Sequence, residues 1–236
     1  MKILNVIPVN SDVFTPEMEK YARKFLGEKT VVDSVRITEG TPSIEGAYDE
    51  LVNAPHAVKL AIEGQERGYD AVFINCFGDP GVEAARECVD IPVFGGYEPA
   101  VLIAMGLADK IGIITVVPNV VEPIKKHTAA EHFDDRVVSV RDIGIPVLEL
   151  CDHSKLCGAV LNESVKAITE DGVQCIVLGC TGMVNVTEIV QKSLYDMGYD
   201  IPVIEAAQSA LMMLELYAKM GLRHSRLTYM KPTDKK

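Results

Sequence analysis

Apolar runs of strand length alternate with amphipathic, helix-length segments along nearly the whole chain. That alternation is the signature of parallel strands joined by helical crossovers, so the pattern predicts an α/β protein. Strands are expected over Ile3 to Val9, Ala71 to Asn75, Val93-Phe94, Lys110 to Val116, Cys175 to Gly179 and Ile201 to Ile204. Helices are expected over Pro16 to Leu26, Ile44 to Arg67, Pro118 to Phe133, Lys155 to Glu170, Val184 to Met197 and Ala206 to Met220.

The pattern also repeats. Tyr69 to Gly78, a helical stretch, then Asp90-Ile91-Pro92-Val93 and Glu98 have a counterpart in Val173 to Gly182, a helix, then Asp200-Ile201-Pro202-Val203 and Glu205. Lys2-Ile3-Leu4 with Pro8 and Asn10 is answered by Lys110-Ile111-Gly112 with Pro118 and Asn119. Offsets of roughly 104 to 110 residues hold throughout, and each copy is long enough for a small domain. The expected fold is therefore two similar lobes, each a mainly parallel sheet flanked by helices. They are expected to be related by a pseudo-twofold axis with the active site in the cleft between them. The last helix is expected to cross back, giving a discontinuous first lobe (residues 1–98 plus 205–236) and a second lobe (residues 99–204).

Composition adds exclusions. With 48% hydrophobic and 24% charged residues the chain has an ordinary globular composition. A formal charge of -11 disfavours nonspecific binding to nucleic acid or acidic membranes. No apolar stretch approaches the roughly 20 residues of a membrane span, and the opening Ile3 to Ile7 lacks a signal-peptide layout. A cytoplasmic protein is expected, in which six cysteines stay reduced.

Two of those cysteines carry the chemistry. Cys76, in Ile74-Asn75-Cys76-Phe77-Gly78-Asp79-Pro80-Gly81, and Cys180, in Val177-Leu178-Gly179-Cys180-Thr181-Gly182-Met183, stand where a strand ends and a glycine-rich turn begins. In parallel sheets ligands bind beyond that end. A helix N-terminus there is expected to lower each thiol from its free pKa of about 8.5, and Gly78 and Gly182 to let backbone N–H groups approach an anion. Two thiols on opposite faces of one carbon would meet the demands of racemisation: one removes the proton, the turns stabilise the enolate, and the other returns a proton. The scheme requires no metal, flavin or pyridoxal phosphate.

These motifs resemble the aspartate/glutamate/hydantoin racemase superfamily over nearly the whole chain, and Cys76 to Gly81 with Leu178 to Met183 look most like its hydantoin and allantoin racemase branch. The resemblance implies a two-lobed, cofactor-independent isomerase with Cys76 and Cys180 as the paired bases. It places Phe77, Gly78, Thr181, Gly182 and Met183 beside the substrate, Asn10 and Ser11 at a polar turn holding substrate oxygens, and Thr115 in the equivalent turn of the second lobe. Thr181 and Gly95 to Ala100 depart from the branch pattern. Amino-acid racemases of the superfamily carry a histidine where this chain has Gly182, which favours a ring-activated, imide-like or anionic small molecule. Asp79 is a supporting residue that would cap the following helix, with Pro80 in its first turn.

Alternatives stay open: an aspartate/glutamate-type racemase, an arylmalonate decarboxylase-like or maleate isomerase-like enzyme of the same fold, or a noncatalytic two-lobe sensor closing on a small anion. Substrate identity and any homo-oligomer are not fixed by the sequence. Cys175 and Cys88 read as packing. Cys151, Asp152, His153 and Cys157 lack a matching ligand pair for zinc. His56, His127, His132 and His224 read as surface residues. Glu17 to Lys29 reads as a solvated helix face, and Arg223 to Lys236 as a basic, polar tail whose end is expected to be loosely held.

Overall fold

Mainly apolar runs make the central strands of two sheets, because a parallel strand between helical layers is covered on both faces. In the computed structural model, which describes residues 1–12 and 20–233, β1 (Lys2–Ile7) and β3 (Ala71–Ile74) lie at the centre of a four-stranded parallel sheet. Its edges are β2 (Val31–Arg36) and β4 (Val93–Phe94), in the order β2-β1-β3-β4. A second sheet has the same plan: β6 (Val137–Asp142), β5 (Ile111–Thr115), β7 (Cys175–Leu178) and β8 (Val203–Glu205), ordered β6-β5-β7-β8 and all parallel.

The chain divides into two compact units, each holding one sheet. The first takes Met1–Ser43, Tyr48–Gly95 and Ala210–Lys236, and the second Ile44–Ala47 and Gly96–Ser209. In the first, α1 (Ala47–Glu66) and α2 (Val82–Cys88) cover a sheet face through Ala57, Ala61, Val82 and Ala85 against Leu4, Val6, Val72, Ile74 and Val93. Each fully buried Val, Leu or Ile there contributes about 1.5–3 kcal/mol. The second unit contains α3 (Tyr97–Met105), α4 (Val121–Ala130), α5 (His153–Asp171) and α6 (Thr187–Asp196). The helix α7 (Ala206–Lys219) starts in the second unit and continues into the first. Among the described residues no helix is long and apolar enough to cross a membrane.

The structure adds elements that the pattern did not predict. The edge strands β2 and β6 are interrupted by Asp33, Ser34 and Arg36, and by Ser139, Arg141 and Asp142. An edge strand has one ladder open and keeps polar side chains that a central strand excludes. These residues have partners at the edge: Asp33 accepts from the Tyr69 hydroxyl (2.8 Å), and Arg141 pairs with Asp171 (2.7 Å) and Glu170 (2.6 Å). The helix α3 was obscured by Gly95, Gly96 and Pro99. Pro99 is its third residue, in the first turn, where a missing N–H removes no intrahelical bond. The single helix expected from Pro118 to Phe133 is a 3-10 turn (Pro118–Val120) followed by α4. The expected helix from Pro16 to Leu26, and the face from Glu17 to Lys29, lie partly outside the described residues. Residues 20–22 are helical and the chain turns from residue 23.

Sheet register refines the repeat. β1 and β3 pair Ile3 with Ala71 and Val6 with Ile74, while β5 and β7 pair Ile111 with Cys175 and Ile114 with Leu178. The N–H of Asn75 donates to Val6 O (2.8 Å), as that of Gly179 donates to Ile114 O (2.7 Å). Cys76 and Cys180 therefore occupy the same place, two residues past the last residue of β3 and β7. The pairing of Glu98 with Glu205 is corrected. Val72 pairs with Val93 and Ile176 with Val203, so Glu205 corresponds to Gly95, and Glu98 falls within α3. Glu205 accepts from the Thr187 hydroxyl at 2.9 Å.

The basic tail is held short of its end, of which residues 234–236 lie outside the described residues. Arg226 donates to Asp90 (2.8 Å) and to Arg86 O, Glu87 O and Val89 O, and Lys231 pairs with Asp90 at 2.8 Å. His224 is no surface histidine. Its Nε2 accepts the Val93 N–H (2.9 Å) and its ring meets Phe94 edge-on. Burial first, then Arg86 and Arg226, push its pKa down to about 4, against the Val93 bond.

Candidate active site

In the first unit, β3 ends at Ile74 and the chain reverses at once, the Cys76 N–H donating to Ile74 O at 2.8 Å. Asp79 (φ 53°) and Gly81 (φ 77°) are left-handed, and Gly81 is the N-cap of α2 without any side-chain cap bond. Asp79 is therefore not the cap, and Pro80 precedes the helix rather than entering its first turn. The Asp79 carboxyl fills the place beside Gly95, where a Cβ would collide with Oδ1. Gly78 is glycine for a similar reason: a Cβ there would collide with Glu50 Oε1. The room beside Gly78 is thus occupied by a carboxyl group instead of standing open to an anion.

Asn10 and Ser11 leave β1 in the same unit. Asn10 donates its N–H to Thr41 O (2.9 Å), and its Oδ1 accepts from Arg36 (2.9 Å), which also pairs with Asp12 at 2.6 Å. Behind that turn, buried Asn53 in α1 donates to Pro8 O (2.8 Å) and to the Thr41 hydroxyl (3.0 Å), and accepts the Thr41 N–H (2.8 Å).

In the second unit, Cys180 follows Gly179, whose carbonyl accepts the Thr115 hydroxyl at 3.0 Å. Thr115 is corrected in place: it is the last residue of β5 and fully buried, so its hydroxyl braces the turn bearing Cys180. The Gly182 N–H points at Cys180 Sγ, 3.4 Å away. Thr181 and Phe77 are buried and Met183 is wholly so, while Gly78, Gly182 and both site cysteines are half-buried.

The expected lowering of the Cys180 pKa is overturned. The helix α6 begins at Thr187 with Val186 as N-cap, too far along the chain for a macrodipole that fades within one turn. Burial pushes the Cys180 thiol up to about 11, opposed by the Gly182 and Met183 N–H groups and reinforced by the Glu45 charge. Cys180 is a protonated acid at neutral pH. Alkylation of Cys180 by iodoacetamide, followed by peptide mapping, is expected to keep accelerating about tenfold per pH unit beyond pH 8.5 toward 11. A plateau near 8.5 would contradict that.

Cys175 is buried, its thiol pushed up to about 12 by burial, and Cys151 is exposed. Asp152 caps α5 by accepting the Lys155 N–H at 3.0 Å. Among the described residues no group of three or more His, Cys, Asp and Glu is placed to hold a metal ion. Three residues around the two cysteine turns escaped the sequence reading. Glu50 looks like one more acid on a helix, and Glu45 lies before it. Asn75 directly precedes Cys76, and that adjacency was the available signal.

The sequence model of the Asp/Glu/Hydantoin racemase family matches residues 3–214. The chain is 30% identical to a hydantoin racemase of Pseudomonas sp. (strain NS671), over 100% of this chain and 93% of that protein. It is 34% identical to a hydantoin racemase of Rhizobium meliloti, over 87% and 84% respectively. Its fold superimposes on an allantoin racemase from Klebsiella pneumoniae with a TM-score of 0.92 and 32% identity, covering 100% of this chain and 95% of the other. With most of its length matched, the chain belongs to the Asp/Glu/Hydantoin racemase family and is an isomerase of the racemase type.

Proposed function

We propose that the chain is a cofactor-independent racemase of 5-substituted hydantoins or allantoin, with Cys76 and Cys180 as the opposed acid and base. The observation that carries this reading is the shared register of the two thiols. Each stands two residues past the end of its strand and two before a glycine, in a chain whose relatives include hydantoin racemases.

For one enantiomer, Cys76 as thiolate takes the proton from the stereogenic carbon. The C–H electron pair passes into the adjacent carbonyl, giving a planar enolate. Cys180, kept protonated by its burial, delivers its proton to the opposite face, and its sulfur is left negative. The Gly182 N–H then faces a thiolate, to which it bonds more strongly than to a thiol. For the other enantiomer the steps run backwards with the same groups. Phe77, Gly78, Thr181 and Gly182 border the substrate in this reading, Asn10 and Ser11 hold its oxygens, and Asp79, Thr115 and Met183 support the two turns.

The test is polarimetry on enantiopure 5-substituted hydantoins, allantoin, aspartate and glutamate. Optical rotation is expected to decay to zero for the hydantoins or allantoin and to persist for the amino acids. Inertness of both ring and ureide substrates would overturn the reading.

A further inference from the structure

Two acceptors at the loop carrying Cys76, one on it and one packed against it, lack donors among the described residues. Asn75 Oδ1 is buried and, among the described residues, has no hydrogen-bond partner. Glu50, half-buried in the first turn of α1, lies against Gly78, two residues beyond Cys76, where a Cβ would collide with its Oε1. Its carboxyl makes no hydrogen bond or ion pair among the described residues, and the charge that acts on it is that of Asp49, of like sign. Burial first, and Asp49 second, push its pKa above the usual carboxylate range.

Nearly all buried polar atoms in folded chains are paired, and the exceptions call for an explanation. A half-dry carboxyl beside a reactive loop, with no cation and no N–H to satisfy it, is costly to the fold unless a donor arrives from outside. Among the described residues the other half-buried acids of the same unit are answered, such as Asp90 by Arg226 and Lys231, Asp33 by the Tyr69 hydroxyl, and Glu215 by Thr30 and Gly27. Glu50 is the exception among them, and its carboxyl lies against Gly78, two residues beyond the proposed base.

We infer that Glu50 is a substrate-orienting residue: its carboxyl oxygen accepts the N–H bonded to the stereogenic carbon of a cyclic imide or ureide. The inference rests on the hydantoin or allantoin reading and adds to it a group that aligns the C–H bond with the Cys76 sulfur. A substrate without an N–H at that carbon gains nothing from Glu50.

The experiment crosses substrate methylation with substitution. A 5-substituted hydantoin, its derivative methylated on the ring nitrogen next to the stereogenic carbon, and its derivative methylated on the nitrogen between the carbonyls are assayed with the full-length enzyme, with Glu50→Met and with Glu50→Ala. Circular dichroism checks the fold of each variant, and the smaller Ala serves if Met crowds Gly78. In the unsubstituted enzyme, methylation next to the stereogenic carbon is expected to lower kcat/KM by about ten- to a hundredfold more than methylation at the other nitrogen. In Glu50→Met or Glu50→Ala that excess is expected to vanish, while Glu50→Gln, which keeps an acceptor oxygen, retains part of it. The same excess in the variants as in the unsubstituted enzyme, or none in either, would overturn the role of Glu50 while leaving the racemase reading intact. An unsubstituted enzyme inert toward every hydantoin and toward allantoin would bring both down.

Discussion

Cys76→Ser and Cys180→Ser are each expected to lower racemisation by about 10³-fold or more, because a serine hydroxyl is far too weak an acid to trade a proton with an enolate near neutral pH. The loss should be equal in both directions. Enantiomers have equal free energies, so the ratio of forward to reverse kcat/KM is fixed at one in any variant. Proton exchange with solvent has no such constraint. Cys180→Ser keeps the Cys76 sulfur and should still exchange the proton of one enantiomer with deuterium oxide, whereas Cys76→Ser should exchange that of the other. The double variant should be little worse than either single one in racemisation, since the two groups act as a unit. Chiral chromatography with mass detection reads both quantities. Single variants that keep near-full racemisation would mean that Cys76 and Cys180 are not the acid and base.

Asn53→Ala is expected to lower stability markedly although it removes no apolar core side chain. Asn53 is wholly buried and serves Pro8 O, Thr41 N–H and the Thr41 hydroxyl. These contacts tie the turn after β1 and the loop around Thr41 to α1. Alanine would strip those bonds and leave a buried carbonyl and a buried N–H without partners, at roughly 3 kcal/mol in sum. For a chain of this size that corresponds to a Tm lower by about 6–12 °C in thermal denaturation. Because Asn10 hangs on the same loop through its bond to Thr41 O (2.9 Å), KM should rise as well. A Tm within a degree or two of the original would mean that the loop finds its bonds elsewhere.

The parts of the fold readable in the sequence were those buried on both faces. The central strands β1, β3, β5 and β7 show as mainly apolar runs, interrupted within β1 by buried Asn5, and their ends put Cys76 and Cys180 at matching places in the repeat. The edge strands β2 and β6 did not show, because Asp33, Arg36, Arg141 and Asp142 make a half-exposed strand look like a loop. The site was legible to the same depth. A cysteine, and a glycine two residues on, recur together in sequence. The electrostatics do not, since they depend on what packs against the turn. Cys180 looked like a thiol at a helix start, yet α6 begins only at Thr187, so burial, opposed by the Gly182 N–H, governs its proton instead. Glu50 could not be picked out among the acids of α1, because only the fold brings its carboxyl against Gly78. Similarly, His224 looked like part of a free tail until Val93 and Phe94 were seen to hold it.

Exchange by two opposed thiols has a signature in a single turnover. When one enantiopure 5-substituted hydantoin is converted by the unsubstituted enzyme in deuterium oxide and stopped early, the account predicts deuterium at the stereogenic carbon of essentially all the product, and almost none in the recovered starting enantiomer. Protium retained in the product, or deuterium appearing equally in both enantiomers from the outset, would mean that one group handles both faces, and would contradict the paired roles of Cys76 and Cys180.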